Sequence, residues 1–118
     1  INMSWAGFEE HCRKIVEKMG WEITKVRNRD DGIDIEAFRS VVSGEKEKMV
    51  RLFVQCKHWK KNNIPPGVIR DLLGAKELED KEYETELMII TSSRFSSGAV
   101  MKAREKSIKL IDGNDLLK

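Results

Sequence analysis

The chain has 118 residues, of which 36% are charged, and 22 basic residues against 20 acidic ones give a net charge of +2. This length predicts one domain over residues 1–118 that buries a core without disulfide or metal staples. No apolar run approaches the roughly 18 residues of a membrane span, and residues 1–4 lack the basic and apolar regions of a signal peptide. We therefore expect a cytoplasmic protein with no membrane segment.

The two cysteines indicate no metal-thiolate chemistry. Cys12 lies on an apolar helical stripe and Cys56 at an inward position of a predicted strand. Their spacing is not that of a zinc site, so we expect both to be reduced residues of the core.

The first half of the chain is predicted to fold as a helix followed by three strands. Apolar residues at helical spacing predict the first helix, which Gly20 ends. Alternating apolar and polar residues then predict strands over 21–26, 33–42 and 48–57, joined as an antiparallel meander. The helical stripe consists of Phe8, Cys12, Ile15, Val16 and Met19.

The second half is predicted to alternate helices with strands. Pro65 and Pro66 favour a helix start, and apolar spacing extends that helix toward Tyr83. Residues 87–91 are apolar on both faces, as in a buried central strand, and a serine-rich turn leads into the next helix. A parallel strand over 108–111 and a short terminal helix complete the predicted elements.

Charge is segregated along the chain. Residues 48–70 and 87–104 contain no acid, whereas six carboxylates and one lysine lie between Glu77 and Glu86. This pattern favours a basic face that contacts a phosphate backbone, although a solvated charged surface would give the same pattern. The basic residues of the two segments are Lys48, Arg51, Lys57, Lys60, Lys61, Arg70, Arg94, Lys102 and Arg104.

Two of the predicted strands carry polar side chains on one face. Asp34 alternates with Ile33 and Ile35, which can enter a core. In the third strand, Gln55 and Lys57 alternate with apolar residues. If the strands pair, an acid, an amide and an ammonium group meet on an otherwise apolar sheet, which costs free energy unless the groups are matched. Because such a patch rarely stabilises a fold, it is the candidate functional site.

Five short blocks of sequence lie on these elements in a fixed order. They are Phe8-Glu9, Asp31-Gly32-Ile33-Asp34-Ile35, Val54-Gln55-Cys56-Lys57, Thr91-Ser92-Ser93-Arg94-Phe95-Ser96 with Ala99, and Leu110-Ile111-Asp112-Gly113 with Leu116. Over nearly the whole chain they resemble the Mrr-type restriction endonuclease catalytic domain, a branch of the PD-(D/E)xK nucleases. The resemblance implies an α/β fold, a restriction-endonuclease-like three-layer sandwich with a central mixed sheet and the order α-β-β-β-α-β-α-β. Gln55 stands where the wider fold has an acid, as in the Mrr branch.

The resemblance implies hydrolysis of phosphodiester bonds with Mg²⁺, for which Mn²⁺ can substitute. Asp34, Gln55 and Glu9 are the implied metal ligands, since Mg²⁺ prefers hard oxygen donors and needs only one or two carboxylates. Lys57 completes the catalytic set and would position or deprotonate the attacking water, or stabilise charge on the phosphate. Glu10 competes with Glu9 for its role, and the helix dipole alone favours a glutamate in the first turn.

Two polar segments beside the predicted site are expected to bind DNA. The loop after Lys57 offers lysines for phosphates, a tryptophan for stacking and asparagines for base edges. The serine-rich segment precedes a helix N-terminus, whose backbone amides favour anions. Alternatively, Trp59 packs over the sheet edge and Ser96 is only an N-cap. The expected DNA-binding residues are His58, Trp59, Lys60, Lys61, Asn62, Asn63, Ser92, Ser93, Arg94 and Ser96.

From the resemblance we expect a metal-dependent endonuclease that acts on double-stranded DNA in restriction of foreign or modified DNA. A duplex has two strands to cut, so the expected partner is a second copy in a homodimer or a recognition domain outside this chain. Two alternatives stay open. A structure-selective nuclease resembling Holliday-junction resolvases would prefer branched DNA, and a non-catalytic DNA-binding module, which the neutral Gln55 allows, would bind without cleaving.

Overall fold

The residues described in this computed structural model, 3–26 and 32–116, form a five-stranded sheet with helices on both faces. None of the helices in these ranges is long and apolar enough to cross a membrane. The elements are α1 (Trp5–Lys18), β1 (Glu22–Val26), β2 (Ile35–Ser43), β3 (Lys46–Lys57), α2 (Pro66–Glu77), β4 (Glu84–Thr91), α3 (Ser97–Glu105), β5 (Lys109–Ile111) and α4 (Gly113–Leu116).

The sheet is mixed, with the strands in sequence order from β1 to β5. β1, β2 and β3 are antiparallel neighbours, which confirms the predicted meander. β3 and β4 pair in parallel, as do β4 and β5, because α2 and α3 carry the chain back between these strands. The predicted element order and central mixed sheet are confirmed, and the predicted turn over residues 27–31 lies outside the described residues.

Each face of the sheet has its own apolar core. α1 packs on one face, where Val54 and Cys56 of β3 point. α2 and α3 cover the other face, where Phe53 of β3 points. Because β3 is central and covered on both sides, its positions 50–56 are all buried. The result is a three-layer sandwich.

The predicted start of the second strand is wrong. A strand from residue 33 would place Ile33 and Ile35 on one face, since side chains two residues apart share a face. Instead Ile33 lies in the core under α2 and α3, whereas Ile35 lies in the core under α1. The regular strand begins only at Ile35. Asp34 precedes it, so the alternation of side chains along the strand does not determine where the Asp34 side chain points.

The second helix is shorter than predicted, since α2 ends at Glu77 and not near Tyr83. Acidic residues after this point are unfavourable at a helix C-terminus, where the macrodipole is negative. The segment from Glu84 instead extends β4, which pairs in parallel with β3 from Val50 onward.

Two of the basic residues in the acid-free segment 48–70 form ion pairs with this acidic segment. Lys48 Nζ lies 2.9 Å from Glu84 Oε1, and Arg51 Nη1 lies 3.3 Å from Asp80 Oδ2. Arg51 is only 3% exposed and also donates to Thr85 Oγ1 at 3.0 Å. The expected basic face therefore does not include these two cations, which belong to the end of β3 remote from Lys57.

Gly113, which follows β5, is expected to be intolerant of a side chain. Its N–H donates to Ser93 O at 2.7 Å, and a Cβ added to it would overlap Ser92 O and come within 3.0 Å of Ser93 O. We expect Gly113→Ala to lower the free energy of unfolding by about 1–3 kcal/mol, as overpacking does. Urea denaturation measures the change. Gly74→Ala is the matched control, because a Cβ there meets nothing within 4 Å and should stabilise α2 by about 0.5–1 kcal/mol. Equal midpoints for both variants would contradict the prediction.

Candidate functional site

Three of the predicted site residues, Asp34, Gln55 and Lys57, lie at the C-terminal end of β3. In the described ranges, the ladder between β2 and β3 ends at the pair Ile35 and Val54. Residues 55–57 continue past this pair while remaining bonded to residues 89–91 of β4 on their other side. The β2 side of this short stretch is therefore an open edge in the sheet, with Asp34 at its margin.

Asp34 is fixed at this edge by the backbone of β3. Its N–H donates to Val54 O at 2.8 Å, and its Oδ2 accepts from the N–H of Cys56 at 2.7 Å. The side-chain carboxylate thus accepts the hydrogen bond that a backbone carbonyl of β2 would accept if the pairing of the two strands continued. As a result, the carboxylate lies in the plane of the sheet, between the backbone positions of Gln55 and Lys57.

Gln55, which precedes Cys56 on β3, is buried, with 4% of its surface exposed. Its side chain lies on the α2 side, since a Cβ added to Gly32 would lie 3.6 Å from Gln55 Nε2 and 3.7 Å from Ala75 Cβ. Its Oε1 atom is buried, and within the described part of the chain it accepts no hydrogen bond. A buried carbonyl without a donor costs roughly 1–3 kcal/mol. Such an oxygen is suited to receive a cation.

Lys57 ends β3 and is partly buried. Strand alternation places its side chain on the same face as that of Gln55. Its carbonyl oxygen accepts from Thr91 Oγ1 at 2.7 Å and from the N–H of Ser92 at 3.2 Å. These bonds fix the backbone from which the ammonium extends.

Glu9 approaches the same strand end from α1. The pKa of the Cys56 thiol is raised, first by a hydrogen bond with Cys12, then by burial and by the Cys12 charge, and further by the negative charges of Asp34 and Glu9. Asp34 contacts Cys56 through the N–H of that residue, and Glu9 belongs to α1, which packs on the face of the sheet to which Cys56 points. Both cysteines are buried and unpaired by disulfide, which confirms their predicted place in the core.

The donors at this end are those that a hard cation prefers. Asp34 and Glu9 offer carboxylates and Gln55 offers a neutral carbonyl, the ligand class of Mg²⁺, which keeps several waters and needs few protein ligands. The described residues contain no cluster of three His, Cys, Asp or Glu side chains arranged to hold a metal. Two features fit a divalent ion: the Gln55 Oε1, which accepts no hydrogen bond from the described residues, and the Asp34 carboxylate, which is held by the N–H of Cys56, the residue after Gln55.

His58, which was predicted to face DNA, is directed into the protein. Its Nδ1 lies 2.8 Å from Ser92 Oγ, and its Nε2 lies 2.6 Å from Met3 O. Its ring stacks on Phe8 with centroids 4.8 Å apart. Sequence patterns gave no indication of these contacts, because they join segments 34 and 55 residues apart.

The rest of the loop divides into anchored and exposed residues. Trp59 packs against the core under α2 and α3, as the alternative interpretation had it. The side chains of Lys60, Lys61, Asn62 and Asn63 are exposed. The exposed lysines therefore lie within six residues of Gln55, at the same end of the sheet.

The serines of the second segment mainly hold that loop. Ser92 Oγ donates to Trp59 O at 2.9 Å, and Ser93 Oγ donates to Asn62 O at 2.7 Å. Ser96 is the N-cap of α3, since its Oγ accepts from Ala99 N at 3.1 Å. Arg94 is exposed beside them and is the cation that this segment presents to solvent.

Comparison with known proteins gives a family for this geometry. The family model of the Mrr catalytic domain, described as a restriction endonuclease, matches residues 1–118. No curated protein matches the chain.

Two solved structures share the fold. One is the MspJI restriction endonuclease in complex with a 27-mer oligonucleotide, with a TM-score of 0.67, 17% identity and 91% of this chain covered. The other is the DNA modification-dependent restriction endonuclease AspBHI, with a TM-score of 0.68, 14% identity and 92% of this chain covered. The match spans 24% of the first enzyme and 29% of the second.

Proposed function

The chain belongs to the Mrr-type restriction endonuclease family, and from that premise we propose that it is a metal-dependent endonuclease that cleaves double-stranded DNA in restriction of foreign or modified DNA. The observation that carries the proposal is the buried Gln55 Oε1, which accepts no hydrogen bond from the described residues, one residue before the Cys56 N–H that holds the Asp34 carboxylate at the edge of the sheet. A purely structural amide would be expected to find a partner.

In this proposal Asp34, Gln55 and Glu9 would hold the ion. A divalent metal supplies positive charge that neutralises the scissile phosphate and makes a water easier to deprotonate. Asp34 is the main ligand, because its hydrogen bond from Cys56 N fixes the carboxylate before any ligand arrives. The neutral Gln55 adds no charge. The carboxylate of Glu9 therefore supplies the negative charge that the wider fold obtains from the acidic residue at the position of Gln55.

Lys57 acts on the phosphate and the attacking water. Its backbone is fixed by two hydrogen bonds to the end of β4, so its ammonium starts from a defined position on the Gln55 face. There it stabilises the negative charge that develops on the phosphate oxygens as the water oxygen attacks phosphorus and the leaving P–O bond breaks. The ammonium can also position that water, whereas only the neutral amine form of Lys57 can accept the proton that the water loses.

The exposed cations at this end form the proposed DNA surface, which we define as Lys60, Lys61 and Arg94. Replacing Lys60 and Lys61 together by alanine should weaken binding to all sequences alike and flatten the slope of log K against log salt by about one to two units. Binding titrations at several salt concentrations measure the slope. The matched control is Lys14→Ala with Lys18→Ala, since both lysines are exposed on α1 toward its far end. Equal slopes for the two double variants would remove this loop from the DNA surface.

The test of the function is plasmid cleavage. Purified protein is incubated with supercoiled plasmid, methylated and unmethylated, with Mg²⁺ or Mn²⁺ and with EDTA as control. Metal-dependent nicking or linearisation supports the proposal, and direct linearisation supports paired active sites in a homodimer. Cleavage of a four-way junction in preference to plasmid would favour the structure-selective alternative. Binding without cleavage of any of these substrates would favour the non-catalytic module.

A further inference from the structure

His58 connects the two sides of the proposed active site. It directly follows Lys57 in the sequence, and the residue on which its ring stacks, Phe8, directly precedes Glu9. The two rings lie 4.8 Å apart with an interplanar angle of 13°. The ring contact therefore joins the neighbours of two residues that act on the same phosphate in the proposed function.

Both ring nitrogens of His58 hold other segments in place. Nε2 lies 2.6 Å from the carbonyl oxygen of Met3, which precedes α1. Nδ1 lies 2.8 Å from Ser92 Oγ, just after β4. A single side chain thus ties the approach to α1 and the turn after β4 to the end of β3.

The tether is independent of the protonation state of the ring. A carbonyl oxygen only accepts, so Nε2 must donate to Met3 O in either state. If the ring is neutral, Nδ1 accepts the single hydroxyl proton of Ser92, and that proton is then not available for the bond to Trp59 O. If it is charged, Nδ1 donates to Ser92 Oγ, which then donates to Trp59 O, 2.9 Å away. The contacts from Nε2 and Nδ1 are compatible with both forms.

We propose that His58 is a positioning residue that sets Glu9 against Lys57 and Asp34 by clamping the start of α1 onto the end of β3. The proposal rests on the proposed nuclease function and assigns His58 no contact with DNA. Within residues 3–26 and 32–116, the side-chain hydrogen bond at the start of α1 besides that of His58 is the N-cap bond from Gly7 N to Ser4 Oγ, which is internal to the helix start. Without the clamp, the helix keeps its apolar packing but its first turns are free to shift.

The test uses a double-mutant cycle on the full chain. His58→Phe keeps the ring on Phe8 and removes both hydrogen bonds, and Glu9→Gln removes the carboxylate that the clamp is proposed to place. We expect His58→Phe to lower kcat about 10–100-fold, as the loss of an orienting contact does, with KM for DNA changed less than about twofold. In the Glu9→Gln background the same change should have less than about a twofold effect, because there is no carboxylate left to position. Additive effects of the two changes would overturn the proposal.

Hydrogen exchange gives a readout that does not depend on cleavage. Backbone amides in residues 3–12 should exchange at least about tenfold faster in His58→Phe than in wild type, with exchange in α2 and α3 unchanged. The control is His11→Phe, which replaces the chain's other histidine. His11 lies on α1, and its replacement should leave these exchange rates and kcat unaltered. His58→Gln, which keeps a donor for Met3 O, should restore part of the protection. Unchanged exchange in His58→Phe would overturn the clamp. If wild-type protein does not cleave DNA, the proposed function fails, and the exchange comparison alone decides whether the clamp exists.

Discussion

Replacing Asp34 by asparagine is expected to reduce DNA cleavage by about 10³-fold while leaving the fold and DNA binding intact. The asparagine side chain keeps an oxygen that can accept from Cys56 N, the 2.7 Å bond that replaces a rung of the ladder. It removes the negative charge on which cation binding depends. Single-turnover cleavage with saturating metal measures the loss, and a DNA-binding titration without metal shows whether binding is retained.

Two further variants separate charge from structure at this position. Asp34→Ala removes both the charge and the acceptor for Cys56 N, so it should lose stability as well as activity, by about 1–3 kcal/mol for an unsatisfied backbone donor. Asp71→Asn removes an exposed carboxylate from α2 and should change neither quantity. Cleavage by Asp34→Asn within tenfold of wild type would contradict a ligand role for this carboxylate.

The order of elements could be predicted because it depends on local periodicity. The apolar stripe of α1 and the doubly apolar run in β4 are signals that single segments carry, and the sheet assembled as these signals indicated. The proximity of Asp34 to Gln55 and Lys57 could also be predicted, since pairing of the two strands brings their polar residues together. The exact position of the Asp34 carboxylate could not be predicted, because it depends on the residue at which the pairing between β2 and β3 ends. Asp34 lies just before β2, and its side chain continues the hydrogen bonding that the strand does not.

The role of the loop after β3 could not be read from composition. A run of histidine, tryptophan, lysines and asparagines indicates a surface loop, and its lysines and asparagines are indeed exposed. His58 and Trp59, however, turn inward to partners that are distant in the sequence. Linear charge segregation misled for the same reason, because Arg51 in the acid-free segment is buried against Asp80. Pairing in space, and not order along the chain, decides which cations DNA can reach.

Replacing Lys57 by methionine is expected to lower kcat for DNA cleavage by about 10²–10⁴-fold, the range for a positioned acid or base, with a small effect on DNA affinity. Methionine retains an unbranched apolar stem for the partly buried position and loses the ammonium group. Single-turnover cleavage and a binding titration measure the two quantities. Lys61→Met is the matched control, since Lys61 is exposed and should affect the salt dependence of binding more than kcat. A kcat for Lys57→Met within about threefold of that of wild type would contradict a role for Lys57 in the reaction.

Lys57→Arg then distinguishes the two roles proposed for this side chain. A guanidinium carries the same charge but does not lose its proton in proteins. If Lys57 acts by stabilising charge on the phosphate, arginine should recover at least about tenfold of the activity that methionine loses. If Lys57 acts as the base, arginine should be no more active than methionine at any pH, because neither residue can accept a proton from water. The bonds that fix the Lys57 carbonyl to Thr91 and Ser92 involve only its backbone, so the wild type and both variants should present their side chains from the same position.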